Sequence, residues 1–187
     1  MNRTFYSFLK NIYFNFLKRK SDYYMQSLVD NGLKIGANVG IMDGCFLDPS
    51  HCYLISIGDN CTLAPNVRLI AHDASMKRLT GYARVGLIEI GDNCFIGDSV
   101  IVLPGVIIGE NSIIGTGAVV THDIPAGSVA VGNPCKRIAS TEKYFVKHKN
   151  GIKKYKAPFS EKHQTLLSDE NKAEIVLFLK NKKGYIR

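Results

Sequence analysis

The sequence has no apolar run of the roughly 18–20 residues that a membrane-spanning helix needs. Its aromatic N-terminal stretch is interrupted by Lys10, Lys18, Arg19 and Lys20, and no small-residue cleavage site follows it. Its 5 cysteines are an odd number and form neither a disulfide nor a metal-binding pattern. We therefore expect a cytoplasmic protein whose cysteines stay reduced.

Charge is scarce in the middle of the chain. The formal net charge is +8, but Lys and Arg gather in residues 1–20 and 136–187 and are sparse from residue 35 to residue 131. No basic stripe with interleaved aromatic residues is present, so we do not expect nucleic acid as a partner. With 187 residues and 45% hydrophobic content, the chain is long enough for one principal domain with short appendages.

A repeat of six residues runs from Ile90 to Thr121. Aliphatic residues recur at every sixth position: Ile90, Ile96, Val102, Ile108, Ile114 and Val120. This period fits neither an α-helix nor an ordinary strand pair. It predicts a parallel β-helix, in which three hexapeptides close one triangular coil. The aliphatic residues should point inward, and Gly and Asn should occupy the corners.

The same period begins at Ile35 and is interrupted twice. The first interruption, between Leu47 and Ile57, predicts extra residues at one corner. The second follows His72, and the polar segment 73–86 separates it from the next regular repeat. Because the repeat is regular on both sides, we predict an external loop that leaves the coil directly after His72.

Helical appendages are predicted at both ends of the β-helix, which gives three domains: 1–32, 33–140 and 141–187. Residues 1–32 read as an amphipathic helical cap, with peripheral membrane contact through residues 1–20 as the alternative. The basic C-terminal extension contains a predicted helix at 168–182 with an N-cap at Ser168. Four aliphatic residues could pack that helix against the coil: Ile175, Val176, Leu177 and Leu179.

Five stretches at 57–67, 72, 90–97, 103–125 and 131–138 together resemble the hexapeptide-repeat acyltransferases. The likeness is greatest to the maltose and galactoside O-acetyltransferases and their xenobiotic acetyltransferase relatives. The resemblance implies an all-β fold, a left-handed parallel β-helix with an extruded loop. It also implies acetyl-CoA as co-substrate and a homotrimer with active sites between adjacent subunits.

The resemblance also assigns roles to individual residues. His72 matches the catalytic general base, and His51 and His122 are its competitors, with His122 assigned to the cofactor side. The candidate acceptor-binding residues are Asp48, Tyr82 and Arg84. The candidate cofactor-binding residues are Phe95, where relatives carry Trp, and Asp98, Thr116, Thr121, Lys136 and Arg137. No metal is expected.

The favoured function is acetyl-CoA-dependent O-acetylation of a sugar or polysaccharide-precursor hydroxyl, or of another small-molecule acceptor. N-acetylation of an amino or nucleotide sugar remains open, because the same base and thioester would serve both reactions. Two other classes remain as alternatives. A β-helical zinc carbonic anhydrase would need three His ligands, and the histidines of the coil region show no metal-ligand spacing. A noncatalytic binding scaffold would transfer nothing.

Overall fold

The computed structural model describes residues 23–155, 168–180 and 183–185. The predicted aromatic helical face and membrane contact within residues 1–20 lie outside the described residues. The chain divides into two compact units, Met1–Ala139 and Ser140–Arg187, which are described separately. None of the described helices is long and apolar enough to span a membrane.

Short strands make up most of the first unit. In chain order the strands are β1 (Lys34–Ile35), β2 (Gly40–Ile41), β3 (Phe46–Leu47), β4 (Ile55–Ile57), β5 (Thr62–Leu63), β6 (Arg68–Leu69), β7 (His72–Asp73), β8 (Arg84–Val85), β9 (Ile88–Ile90), β10 (Phe95–Ile96), β11 (Ile101–Val102), β12 (Ile107–Ile108), β13 (Ile113–Ile114), β14 (Val119–Val120), β15 (Ser128–Val131) and β16 (Lys136–Ser140). The helices are α1 (residues 23–30), α2 (Lys77–Thr80), α3 (Thr141–Tyr155) and α4 (Asp169–Leu179).

Fourteen of the described strands, β1–β6 and β9–β16, form three walls of a triangular coil, and β1–β6 and β9–β15 pair in parallel with their equivalents one coil away. Wall A has the order β1-β4-β9-β12, wall B has β16-β15-β13-β10-β5-β2, and wall C has β14-β11-β6-β3. From β1 to β14, successive strands of the coil belong to walls A, B and C in turn, so each hexapeptide supplies one strand and one corner. The predicted parallel β-helix is therefore confirmed.

The six-residue repeat forms the interior of this coil. Its six aliphatic side chains from Ile90 to Val120 are each at most 3% exposed. Within wall B, Ile96 lies between Leu63 and Ile114 of the adjacent coils. Burying an aliphatic side chain of this size contributes about 1.5–3 kcal/mol relative to leaving it exposed. The stacked coils therefore share one continuous apolar core.

Asn residues at the corners adopt the left-handed conformation that the tight turns require. Five of them have φ between 55° and 61°: Asn38, Asn60, Asn66, Asn93 and Asn111. Asn tolerates this region better than most side chains do. The first interruption of the repeat is a corner insertion containing a 3₁₀ turn, Cys52–Leu54. Both observations agree with the sequence prediction.

The five cysteines are free thiols, and four of them are buried: Cys52, Cys61, Cys94 and Cys135. The Sγ atoms of Cys61 and Cys94 contact the carbonyl oxygens of Gly91 and Gly109 at 3.1 and 3.3 Å. Cys45 is only partly buried. Burial raises the pKa of the Cys94 thiol to about 11, because the thiolate would lose its hydration.

The segment 73–86 leaves the coil as predicted, but it has more structure than a simple loop. β7 and β8 form an antiparallel ribbon in which His72 pairs with Val85 and Asp73 pairs with Arg84. α2 lies between these strands and ends at Gly81, whose φ is 80°. The chain rejoins the coil at Gly86, whose N–H donates to Ala71 O at 3.0 Å.

At the N-terminal end of the coil, α1 packs against the first turn of the core. Leu28 is 1% exposed and belongs to the same apolar cluster as Leu33 and Ile55. α1 thus covers apolar side chains of the first coil, which is how a solenoid end avoids exposing its core.

The second unit contains α3 and α4. Ser168 Oγ accepts the Asn171 N–H at 3.2 Å, which confirms the predicted N-cap, and α4 ends at Leu179. None of its residues is buried, so the predicted packing face remains exposed or partly exposed. α3 was not predicted. His148 on α3 contacts the Tyr185 hydroxyl at 2.9 Å and stacks near Tyr144.

Candidate active site

Two corners of the β-helix, one coil apart, bring Asp48 next to His72. Leu47 of β3 pairs with Leu69 of β6, so the residues that follow each strand leave wall C one above the other. The Asp48 N–H donates to Leu69 O at 3.1 Å. The hexapeptide register therefore places these two polar side chains together although they are 24 residues apart in the chain.

The Asp48 carboxylate is buried and faces His72. It is 1% exposed, and its Oδ2 accepts the Ala71 N–H at 3.0 Å. The same oxygen lies 2.5 Å from His72 Nδ1. A carboxylate at Nδ1 holds the proton on that nitrogen, which leaves the Nε2 lone pair available as a base. His72 is 33% exposed, so solvent-borne molecules can reach its ring.

Asp48 was predicted to bind the acceptor, and that role stays a prediction. Its carboxylate is 1% exposed and is bonded to Ala71 and His72. This position also suits orientation of the imidazole. The sequence signal was the unusual placement of Asp48 at the start of the corner insertion, directly after a buried strand residue.

His51 joins the same cluster. Its ring centroid is 4.5 Å from that of His72, with 33° between the ring planes. His51 Nδ1 lies 3.8 Å from Asp48 Oδ1, and neither of these buried atoms has a hydrogen-bond partner. The corner insertion between Leu47 and Ile57 positions His51, which begins the 3₁₀ turn. His51 was predicted as a competitor of His72 for the base, and it lies beside it.

The two loop residues predicted to bind acceptor have different environments. Tyr82 is 80% exposed. Arg84 Nη2 donates to Pro104 O at 3.3 Å, which ties the returning strand of the ribbon to the next coil. The adjacent Asp73 carboxylate accepts the Ser75 N–H, which lowers its pKa because the bond stabilises the charged form.

The predicted cofactor residues lie elsewhere on the coil. Phe95 is on wall B and is 45% exposed. Asp98 and Thr116 occupy corners between walls B and C, where the Gly117 N–H donates to Asp98 O at 2.8 Å. Thr121 follows β14 on wall C, and its Oγ1 is 3.1 Å from His122 Nδ1.

Lys136 and Arg137 lie on β16 at the end of wall B. Lys136 is exposed, whereas Arg137 Nε donates to Ser128 Oγ at 3.0 Å. Within one chain, therefore, Asp48, His51 and His72 lie together at a corner between walls C and A. Phe95 and Lys136 lie on wall B.

Comparison with known proteins agrees with this architecture. The family described as bacterial transferase hexapeptide (six repeats) matches residues 88–122. The galactoside O-acetyltransferase of Escherichia coli is 46% identical over 89 residues, which cover 46% of this chain and 44% of that protein. A maltose O-acetyltransferase structure from Clostridium difficile is 45% identical, covers 57% of each chain and has a TM-score of 0.50.

A hexapeptide-repeat acetyltransferase structure from Vibrio cholerae shares the fold, with 19% identity and a TM-score of 0.51 over 64% of this chain and 80% of that one. These matches confirm the predicted resemblance to the hexapeptide-repeat acyltransferases and the predicted left-handed parallel β-helix. The chain spans about half the length of the curated relatives it matches.

Proposed function

We propose that this chain is an acetyl-CoA-dependent acetyltransferase whose acceptor is a hydroxyl group of a sugar or polysaccharide precursor. The observation that carries the proposal is the pair formed by Asp48 and His72, a buried carboxylate 2.5 Å from a partly exposed imidazole. The similarity to galactoside and maltose O-acetyltransferases supports both acetyl-CoA and a sugar acceptor.

In the proposed reaction, His72 acts as the general base. Asp48 keeps the proton on Nδ1, so Nε2 accepts the proton of the acceptor hydroxyl as its oxygen attacks the thioester carbonyl. The tetrahedral intermediate collapses by breaking the carbon–sulfur bond. The proton on Nε2 then passes to the departing CoA thiolate, which restores neutral His72 and leaves an acetyl ester and CoA.

CoA binding is assigned to residues on the outer face of wall B and the nearby corners. Lys136 offers an exposed cation to the polyanionic nucleotide end of CoA. Phe95 offers an exposed apolar surface to the pantetheine arm. Asp98, Thr116, Thr121 and Arg137 remain candidates for the remaining contacts.

Phe95 and Lys136 lie on wall B, whereas His72 follows wall C, and this separation within one chain supports a homotrimer. In that assembly, wall B of one subunit would face the His72 corner of the next, so each site would draw on two chains.

An acetyl-CoA consumption assay against a panel of sugars, amino sugars and nucleotide sugars tests the proposal. We expect turnover with at least one sugar, and we expect mass spectrometry of the product to locate the acetyl group on oxygen. Acetylation of nitrogen instead would identify an amino-sugar acceptor and contradict the assigned acceptor class. Absence of thioester cleavage with every acceptor would contradict the enzyme itself.

His72→Ala provides the matching test of mechanism. The variant should lose at least about a hundredfold in kcat while CoA affinity, measured by calorimetry, stays nearly unchanged. His148→Ala, in the C-terminal unit, is the control for loss of a histidine that is not one of the proposed site residues. Near-normal turnover in His72→Ala would remove His72 from the mechanism.

A further inference from the structure

Two buried polar atoms at the site have no partner. Asp48 Oδ1 and His51 Nδ1 are 3.8 Å apart, and both lack a hydrogen bond. That separation is too long for a hydrogen bond. Buried polar atoms are nearly always paired, so two such atoms facing each other need an explanation.

His72 adds a third potential ligand to these two. Ligand atoms of Asp48, His51 and His72 all lie within 4.8 Å of one another. Two imidazoles and one carboxylate are ligands that Zn²⁺ and Co²⁺ accept, whereas Mg²⁺ and Ca²⁺ prefer sites built from oxygen alone. Two bonds of about 2.0–2.2 Å can span the 3.8 Å between Asp48 Oδ1 and His51 Nδ1, so one ion can contact both atoms.

The cluster is also accessible. His51 and His72 are 26% and 33% exposed, while Asp48 is only 1% exposed. An ion could therefore enter from the imidazole side and meet a carboxylate that is already held by the Ala71 N–H. Three protein ligands leave a fourth tetrahedral position for water.

We propose that Asp48, His51 and His72 form a binding site for a divalent transition-metal ion of the Zn²⁺ class, and that this ion inhibits the enzyme. The second half rests on the proposed function. Sequence spacing indicated no metal site, because His51 and His72 belong to different coils and only the fold brings them together.

Inhibition follows from the tautomer of His72. When Nδ1 donates its lone pair to the ion, the proton leaves Nδ1 and Nε2 takes one up, so the neutral ring changes tautomer and its single proton resides on Nε2. Nε2 then has no lone pair to accept a proton from the acceptor. Binding also removes the proton that lies between Asp48 Oδ2 and His72 Nδ1, so these two atoms, 2.5 Å apart, must move apart.

Direct metal titration of the full chain tests the site without reference to activity. After treatment with EDTA, Co²⁺ should bind one ion per chain with visible d–d absorption of tetrahedral intensity, and Zn²⁺ should displace it. His51→Ala should weaken binding at least about tenfold, because one of three ligands is lost. His148→Ala is the matched control and should bind as the unmodified protein does.

Equal metal affinity in His51→Ala and the unmodified protein would overturn the site. So would a Co²⁺ spectrum without tetrahedral absorption.

The activity arm tests the inhibition separately. Zn²⁺ should reduce acetyl transfer in the unmodified protein, and EDTA should restore it. When each protein's rate is expressed as a fraction of its own metal-free rate, His51→Ala should need at least about ten times more Zn²⁺ for the same fractional inhibition. Metal binding that leaves transfer unaffected would overturn the inhibitory role. Metal binding by a protein that transfers no acetyl group would contradict the proposed function and still support the site.

Discussion

Substitution of Asp48 tests how much the orientation of the proposed base contributes, because it leaves the His72 imidazole in place. Asp48→Asn keeps the shape of the side chain but can present its NH₂ to His72 Nδ1, which favours the tautomer with the proton on Nε2. We expect kcat to fall by at least about a hundredfold, with little change in CoA affinity.

The double variant Asp48→Asn/His72→Ala gives the check. Residues that act as a unit are not additive, so the double variant should be no slower than His72→Ala alone. Losses that multiply would show that Asp48 acts independently of His72.

Burial of the Cys94 thiol makes the stability of the folded protein depend on pH. Its pKa is raised from 9.0 to about 11 in the folded protein, chiefly by burial. The unfolded chain loses the Cys94 proton at lower pH than the folded chain does. The contribution of the buried thiol to the free energy of unfolding is therefore complete below pH 9 and is lost as the pH rises towards 11. The shift corresponds to about 2–3 kcal/mol.

Chemical denaturation at several pH values between 8 and 12 measures this loss. Cys94→Ala is the appropriate comparison, because it removes the titrating group and should show a shallower fall in the free energy of unfolding. An identical pH dependence in both proteins would contradict the assignment to Cys94.

At the scale of elements, the junction between ribbon and coil depends on a close backbone approach. A Cβ on Gly86 would lie 2.8 Å from Gly105 Cα, in backbone that cannot move without shifting the corner. Gly86→Ala should therefore cost about 1–3 kcal/mol of stability and displace the ribbon that begins at His72.

Thermal unfolding compares this variant with Gly40→Ala, where the new Cβ would meet only the flexible end of Met42 at 3.6 Å. The Gly40 variant should unfold near the temperature of the unmodified protein. An equal effect of the two substitutions would show that the close approach at Gly86 is not limiting.

Elements differed in how well the sequence predicted them. Hexapeptide strands were predictable because each repeat has the same inward residue, and the corner insertion and external loop appeared as interruptions. The ribbon of β7 and β8 was not predictable, since its pairing depends on two short segments meeting outside the coil. α3 escaped prediction because its sequence contains Gly151, a weak helix former, in its interior.

At the scale of the whole molecule, a site shared between chains predicts complementation. His72→Ala and Lys136→Glu should each be inactive alone, because one lacks the base and the other repels CoA phosphates. Coexpressed, they should form mixed trimers, and in a random assembly about a quarter of all sites would combine an intact His72 with an intact Lys136 from the neighbouring chain.

Activity of the coexpressed preparation, with sedimentation analysis of its mass, measures this outcome. No recovery in mixed trimers would place the whole site within one chain. Substantial activity in Lys136→Glu alone would remove Lys136 from CoA binding.

By itself the sequence determined the β-helix and its interruptions, and it singled out His72 as the proposed base, because these depend on local periodicity and on motifs that are contiguous in the chain. Only the tertiary structure decided that Asp48 lies beneath His72 and that His51 stacks beside it. The reason is that stacking of successive coils converts a separation of 24 residues into a contact of 2.5 Å, and no local pattern encodes which corner residues meet.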